Sequence, residues 1–517
     1  FLRSGMFPQT RRLYRPDLLG ISLRPVSIDK VLELANGASK GKAFSSHDEF
    51  LVLELYHYHG EEEFMALLQQ SMPKYMENIR RRGKIPGLLR YLEKRDVELY
   101  TQKTFYDGLL LTHAHQDHAI GSSFIKDDII RGWSPITRSL LLADHKLANA
   151  WYVQDTAARK RRDMDKVGAA YPVTEYPFIN FMDGQRIEIA PGIFVTGHDV
   201  YHSIPGSLGF KVEVEHKGKV VSSLAYGGDY RDSTFFERLA ESSPVDLLII
   251  EGTNPPSVKK DSISVDEPQV RKNMSEVMNE ARDGHKLLVI DIVKNNFERM
   301  ISIIEEAISR GRTVVISPKI AWRCRSIELM QTQMPEHLRV KLPDFNDPRI
   351  KLWKKPMSRY NPQEREMFER HGYVDQDALS EVPEQYVLIR DGNEQPEKLE
   401  GINADAIWIL SIYGTYDHGA AQTRRHLHRF AKQYGWEVRS KGYHATGHGP
   451  LVRSEHPDSK GSILDGVSQA GAKELAIVHT QKRALVSDAV RSYDELKDIP
   501  IHDKFTHPWY KIPLNKK

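Results

Sequence analysis

An α/β protein with a doubly wound parallel sheet in its second half is the fold this sequence predicts, and three observations predict it. Between residues 262 and 435, apolar strands alternate with amphipathic helices, the pattern of strand–helix–strand units. Those strands, such as Lys286-Leu-Leu-Val-Ile-Asp-Ile-Val293 and Ala406-Ile-Trp-Ile-Leu-Ser411, are nearly continuous apolar runs, as a sheet covered on both faces requires. In the first half, short strands surround one polar loop, Thr112-His-Ala-His-Gln-Asp-His118, placed directly after the buried run Leu109-Leu-Leu111.

In chain order, residues 1–20 are basic and aromatic without periodicity and read as an arm. Two strand-like runs follow, Ile21-Ser-Leu-Arg-Pro-Val26 and Phe50-Leu-Val-Leu-Glu-Leu-Tyr56, separated by a Gly- and Ser-containing turn. Residues 60–105 carry helical spacing at Phe64, Leu67, Leu68 and Met72. A helix is expected from Leu140 to Trp151, running into the basic stretch Arg159-Lys-Arg-Arg162. Strands are expected at Ile187–Ala190, Ile193–Thr196, Gly209–Val214, Val220–Tyr226 and Val245–Glu251. The second half predicts helices at Val270–Arg282, Asn296–Ser309, around Ile327 and at Ala420–Tyr434, with further strands at Thr313–Ser317 and Tyr386–Ile389. The Pro-rich, charged stretch 342–384 reads as loops or short helices. A last strand, Leu475–Val478, ends in His479.

Composition limits the function classes. The 517 residues are 40% hydrophobic and 28% charged, enough for a soluble core and too many for one small domain. No apolar run is long enough to cross a bilayer, and Phe1-Leu-Arg-Ser-Gly-Met-Phe7 does not read as a secretory leader. Cys324 is the only cysteine, which excludes an internal disulfide or a thiolate cluster and fits a reducing cytoplasm. A net charge of +3 gives no global argument for nucleic-acid binding. Any such binding must use local patches, and Arg80-Arg-Arg-Gly-Lys84 and Arg159–Arg162 are candidates. Each reads equally well as a solvated helix face.

The His-rich loop is the chemical centre. In an extended segment, residues two apart point the same way, so His113 and His115 can share one ion. A turn after His115 aims Asp117 and His118 at a second. Imidazole and carboxylate suit zinc and similar first-row metals.

His-x-His-x-Asp-His after a hydrophobic strand resembles the metallo-β-lactamase fold, and the remainder of the chain resembles its β-CASP nucleases, most of all the ribonuclease J group. The resemblance implies an αββα sandwich over residues 21–255 and 436–517, interrupted by a doubly wound β-CASP domain over 262–435. The helical stretch 60–105 would be an added insertion. The resemblance implies two divalent ions, Zn2+ or else Mn2+ or Mg2+. His113, His115, His202 and Asp229 would hold one ion; Asp117, His118, Asp229 and His479 would hold the other. His202 matches a His-Ser-Ile-Pro context, with His198 as its competitor. Asp229 matches a Gly-Gly-Asp strand end. Glu251 matches an acid that closes a buried strand, and Tyr443-His-Ala-Thr-Gly-His-Gly-Pro450 resembles a His-x-Ser-Gly-His motif with Thr446 in place of Ser.

The activity so implied is hydrolysis of RNA phosphodiester bonds, as a 5′→3′ exonuclease, an endonuclease or both. Paired ions lower the pKa of a shared water and stabilise the negative transition state. Asp117, a ligand of the second ion, would count among the catalytic residues, and His448, oriented by Glu251, would protonate the leaving oxygen. His444 and Thr446 would bind a substrate phosphate. Asn295 and Asn296 match a site of RNA contact and fit a helix N-cap as well. The expected partner is single-stranded RNA in the cytoplasm, with no membrane and with a homodimer allowed. A β-CASP DNA nuclease of the repair type and a non-nuclease hydrolase of the same fold are the alternatives.

Overall fold

The structure is a computed structural model. It describes residues 108–119, 122, 129–147, 158–160, 173–253, 267–293, 295–356, 360–392, 394–412, 418–443, 463–480 and 483–502. The expected arm, first hairpin and helical insertion lie outside these residues, as do His444, Thr446 and His448. Of Asp117 only the backbone is described.

The chain begins its described part with β1 (Gly108–Leu110), a short helix α1 (Gln116–Ala119), β2 (Ile130–Trp133) and α2 (Pro135–Leu147). There follow β3 (Ala158–Lys160), β4 (Val173–Glu175), β5 (Phe178–Asn180), β6 (Arg186–Ala190), β7 (Ile193–Asp199), β8 (Leu208–His216) and β9 (Lys219–Tyr226). Then come α3 (Thr234–Ala240) and β10 (Leu247–Glu251). The middle of the chain supplies α4 (Glu267–Asp283), β11 (Leu287–Ile292), α5 (Phe297–Ser309), β12 (Thr313–Ile316), α6 (Pro318–Gln331) and β13 (Ile350–Trp353). It continues with α7 (Pro362–His371), β14 (Tyr373–Val374), α8 (Gln376–Glu381), β15 (Tyr386–Asp391), β16 (Ala406–Ser411), α9 (His418–Gln433) and β17 (Glu437–Arg439). The last elements are α10 (Ile463–Gln469), β18 (Glu474–Val478), α11 (Arg483–Arg491) and β19 (Ile501–His502).

The described residues of 108–253 and 463–502 form a helix–sheet–sheet–helix stack. Strands β1, β2 and β5 make a small parallel sheet, and a larger sheet runs β19-β18-β10-β9-β8-β7-β6. Alternation of side chains along β1 explains how both faces of the small sheet are used. Leu110 points to Phe181, Val195, Leu208 and Phe210, which fill the space between the two sheets. Leu109 and Leu111 point the other way, towards Ile136 and Leu140 of α2. On the far side of the larger sheet, Phe235, Leu464, Val467, Val486 and Val490 of α3, α10 and α11 cover Leu248, Ile250, Leu475 and Ile477. This layering is consistent with the metallo-β-lactamase fold.

Between β10 and β18, which are adjacent parallel partners, the chain inserts a second seven-stranded sheet in the order β14-β13-β12-β15-β11-β16-β17. All its described pairings are parallel. Its interior strand β11 is buried at every position, so even residues face α4, α5 and α6 while odd residues face a second apolar layer around Trp353, Trp408 and Phe430. The stretch 342–384, expected as loops or short helices, also holds strands. The sheet takes in β13 and β14 from it, and α7 opens there with a capping box at Asn361 and Glu364. Leu111, Trp133 and Ile136 share one buried cluster with Ile290, Ile304, Ile316 and Ile409. The inserted sheet and the sandwich are therefore packed around a common core.

Candidate metal centre

Each side chain of the centre sits where a strand of the sandwich runs out. His113 and His115 follow β1, whose direction is fixed by the bond from the Leu111 amide to the Gly132 carbonyl and by that from the Leu208 amide to the Thr112 carbonyl. The chain then turns into α1, and the amides of His118 and Ala119 donate to the carbonyl of His115. That turn brings His118 back beside His113, with ring centroids 4.2 Å apart. His202 comes from the loop between β7 and β8, and its Nε2 lies 3.1 Å from Nδ1 of His115.

Asp229 follows β9 in the turn Gly227-Gly228-Asp229. Gly228 has φ +66°, and a Cβ there would lie 2.8 Å from Cβ of Thr112. Only glycine lets that turn adopt a left-handed backbone and press against the His-rich loop. The Asp229 carboxylate then lies 3.1 Å from Nε2 of His118, 3.9 Å from Nε2 of His113 and 3.4 Å from Nδ1 of His479. His479, directly after β18, also has a positive φ, 52°. That conformation is uncommon for a residue with a Cβ, and such outliers gather at functional sites.

Two groups of ligand atoms result: His113, His115, His202 and Asp229 form one, and His118, Asp229 and His479 form the other. Within each, every ligand atom is within 4.8 Å of the others. Asp229 belongs to both.

The donor set fits a cation. His113 is completely buried, its Nδ1 lies 3.1 Å from the Thr112 hydroxyl, and its Nε2 has no hydrogen-bond partner among the described residues. Burial pushes the His113 pKa well below its usual value, and the neighbouring rings of His118, His115 and His202 add to the effect against the pull of Asp229. The ring is thus neutral at pH 7, as a ligand must be. A buried imidazole nitrogen with no partner is costly unless something accepts its lone pair; a dication in the first group would do so.

Glu251, the last residue of β10, is buried. It accepts from the amides of Tyr230 (3.3 Å) and Thr253 (3.3 Å), and its carboxylate lies 3.7 Å from Nδ1 of His479. Thr253 was not anticipated from sequence. Its hydroxyl sits 2.7 Å from Nδ1 of His479 and 3.0 Å from that residue's carbonyl, so it holds the ring and the unusual backbone together. Asn295 is buried, with its amide nitrogen 3.5 Å from the Ala114 carbonyl. Asn296 is engaged as the N-cap of α5, accepting from the Arg299 amide at 2.9 Å. Of the two expectations for Asn296, the cap is the one its side-chain oxygen fulfils. His198, the competitor of His202, sits on β7 with its ring against Phe235 rather than in either ligand group.

No helix among the described residues is long and apolar enough to cross a membrane. No family model matches the chain, and no curated protein matches it. Among solved structures, a protein of unknown function from Enterococcus faecalis V583 is similar with a TM-score of 0.51 and 16% identity, over 74% of this chain and 78% of that one. Zn(2+)-bound PqqB from Methylobacterium extorquens is 18% identical over 31% of this chain and 50% of that one, with a TM-score of 0.19. The metallo-β-lactamase Rm3 is 17% identical over 32% of this chain and 62% of that one, with a TM-score of 0.18. What is shared with the Enterococcus protein is the fold; the case for a metal centre rests on this chain's own histidines and aspartate.

Proposed function

We propose that the chain is a metal-dependent nuclease that hydrolyses phosphodiester bonds of RNA, in the manner of the β-CASP and ribonuclease J proteins that its motifs resemble. The observation that carries this reading is Asp229, shared by two ligand groups that converge from four separate stretches of sequence. A single ion would need only one such group. With Asp117 added to the second group, the set His113, His115, Asp117, His118, His202, Asp229 and His479 would hold two ions. When bound, they would activate water and neutralise the charge of a phosphodiester in its transition state.

The chain's own residues supply the rest. Neutral His113 offers its lone pair at neutral pH. Thr112 and Thr253 fix the tilt of His113 and His479. Glu251, fixed by two backbone amides, presents a carboxylate beside His479 and is the proposed orienting partner of His448, the proposed acid for the leaving oxygen. His444 and Thr446 are proposed to bind a substrate phosphate. The inserted parallel sheet is proposed to act as the β-CASP unit. Asn295, just after β11, marks where that unit reaches the His-rich loop.

The test is cleavage of 5′-labelled single strands of RNA and DNA bearing 5′-phosphate, 5′-hydroxyl or 5′-triphosphate ends. The parent should cut RNA, and His118→Ala should abolish cutting while the far-ultraviolet circular dichroism stays that of the parent. Cleavage of DNA alone would move the reading to the repair-type nucleases. Undiminished RNA cleavage by His118→Ala would overturn the two-ion centre.

A further inference from the structure

The loops that carry His202 and Asp229 are tied to the inserted sheet through a chain of alternating charges. Glu298, near the start of α5, receives both the Tyr201 hydroxyl and the Arg231 guanidinium. Tyr201 immediately precedes His202, and Arg231 lies two residues after Asp229. Arg231 also approaches Glu267, the first residue of α4, at 3.9 Å. Glu267 in turn is gripped by Arg299, whose Nη2 donates to it at 2.6 Å. Arg299 spends its remaining donors on the Ser411 hydroxyl at the end of β16 and on the Tyr443 carbonyl, at 2.8 Å. Tyr443 is the residue before His444.

Backbone bonds run in parallel with these contacts. The Arg231 amide donates to the Tyr201 carbonyl at 2.9 Å, joining the two metal-bearing loops, and the Phe297 amide donates to the Ser203 carbonyl at 3.1 Å. Three of the side chains are sheltered, Arg299 at 1% exposure and Glu267 and Arg231 at 10% each, while Glu298 is 23% exposed and Tyr201 lies at the surface. Burying charge in this way is rarely the cheapest route to stability, since apolar residues of similar volume usually do as well. What ion pairs with forked geometry provide is direction. Here the direction is towards both metal-bearing loops and towards the start of the 444–450 segment.

We propose that Arg231, Glu298, Glu267 and Arg299 are positioning residues, a network by which the first turns of α4 and α5 set loops 200–206 and 227–232 in the geometry that binds metal. The network deepens the two-ion reading and rests on it. Supports of this kind behind metal ligands typically change metal affinity by about 10- to 100-fold.

Two variants test it. Glu298→Gln removes the charge that Arg231 and Tyr201 share; Tyr201→Phe removes one hydroxyl and leaves every charge and the ring in place. Zn2+ affinity is measured by competition with a chromophoric chelator, and deuterium uptake in the two loops is followed in metal-free protein. Glu298→Gln should lower Zn2+ affinity about tenfold or more and speed exchange in both loops, with the far-ultraviolet circular dichroism of the parent. Tyr201→Phe should do the same to a smaller degree, with the larger rise in exchange at 200–206. Parent-like affinity and exchange in both variants would overturn the network. If Glu298→Gln fails to fold, parent-like behaviour of Tyr201→Phe alone overturns it. A parent chain that takes up no Zn2+ defeats the two-ion reading instead, and the loop exchange of the metal-free proteins still decides whether the network sets the loops.

Discussion

At the scale of the residue, the centre is built from groups placed in unusual states by their surroundings. His113 is neutral because it is buried among other imidazoles, and His479 is left-handed because Thr253 clasps both its ring and its carbonyl. Asn296 separates two roles that sequence alone leaves together. As an N-cap, its replacement by alanine should cost about 1 kcal/mol, and Asn296→Asp should retain most of the stability because a carboxylate caps as well. Urea unfolding of the two variants measures this. Equal losses for Ala and Asp would contradict the capping role. His113, His115 and His118 were legible because they lie within six residues of one another, in a spacing that favours convergence. Thr253, Tyr201, Arg231 and Glu298 were not. Each is unremarkable locally and acquires its role only when tertiary packing brings distant loops together.

At the scale of the element, the second half was readable where strands are long and apolar. Residues 287–292 announce an interior strand because every side chain must be dry. Ile290 faces α4 and α5 from that strand and is fully buried. Ile290→Ala should therefore cost about 2–5 kcal/mol, including the cavity left behind, read as a drop in the urea midpoint without a change in slope. A loss under about 1 kcal/mol would mean that the sheet collapses around the gap. The stretch 342–384 was unreadable for the opposite reason. Strands β13 and β14 are four and two residues long, too short to show a period. Helix α7 buries only Glu364 and Met367, so its apolar stripe is almost absent. Its one clear signal, Asn361-Pro-Gln-Glu364, is a capping box, a short-range cue that hydrophobic spacing does not register.

At the scale of the molecule, the inserted sheet carries its own buried charge. Asp291 of β11 lies 3.4 Å from Arg390 of β15, and neither is exposed. Burial lifts the Asp291 carboxyl from 3.8 to about 6, with Arg390 opposing the rise. Between those values the folded chain holds a proton that the unfolded chain has released, so this residue's contribution to stability is full below pH 3.8 and is lost as pH rises through 6. The swing is at most about 3 kcal/mol. Comparing parent and Asp291→Asn by urea unfolding at pH 4, 5, 6 and 7 isolates it. The difference between them should shift in favour of the variant with rising pH, and a pH-independent difference would contradict the assignment.

The layout of the chain also sets an order of events. Thr253 and His479, in contact in the finished centre, are 226 positions apart, and the whole inserted sheet is made between them. A growing polypeptide therefore displays its histidine-rich loop and Asp229 long before their last companion exists. Closing so distant a pair is slow. The second ligand group is thus completed late, only once the intervening unit has been synthesised and has folded back.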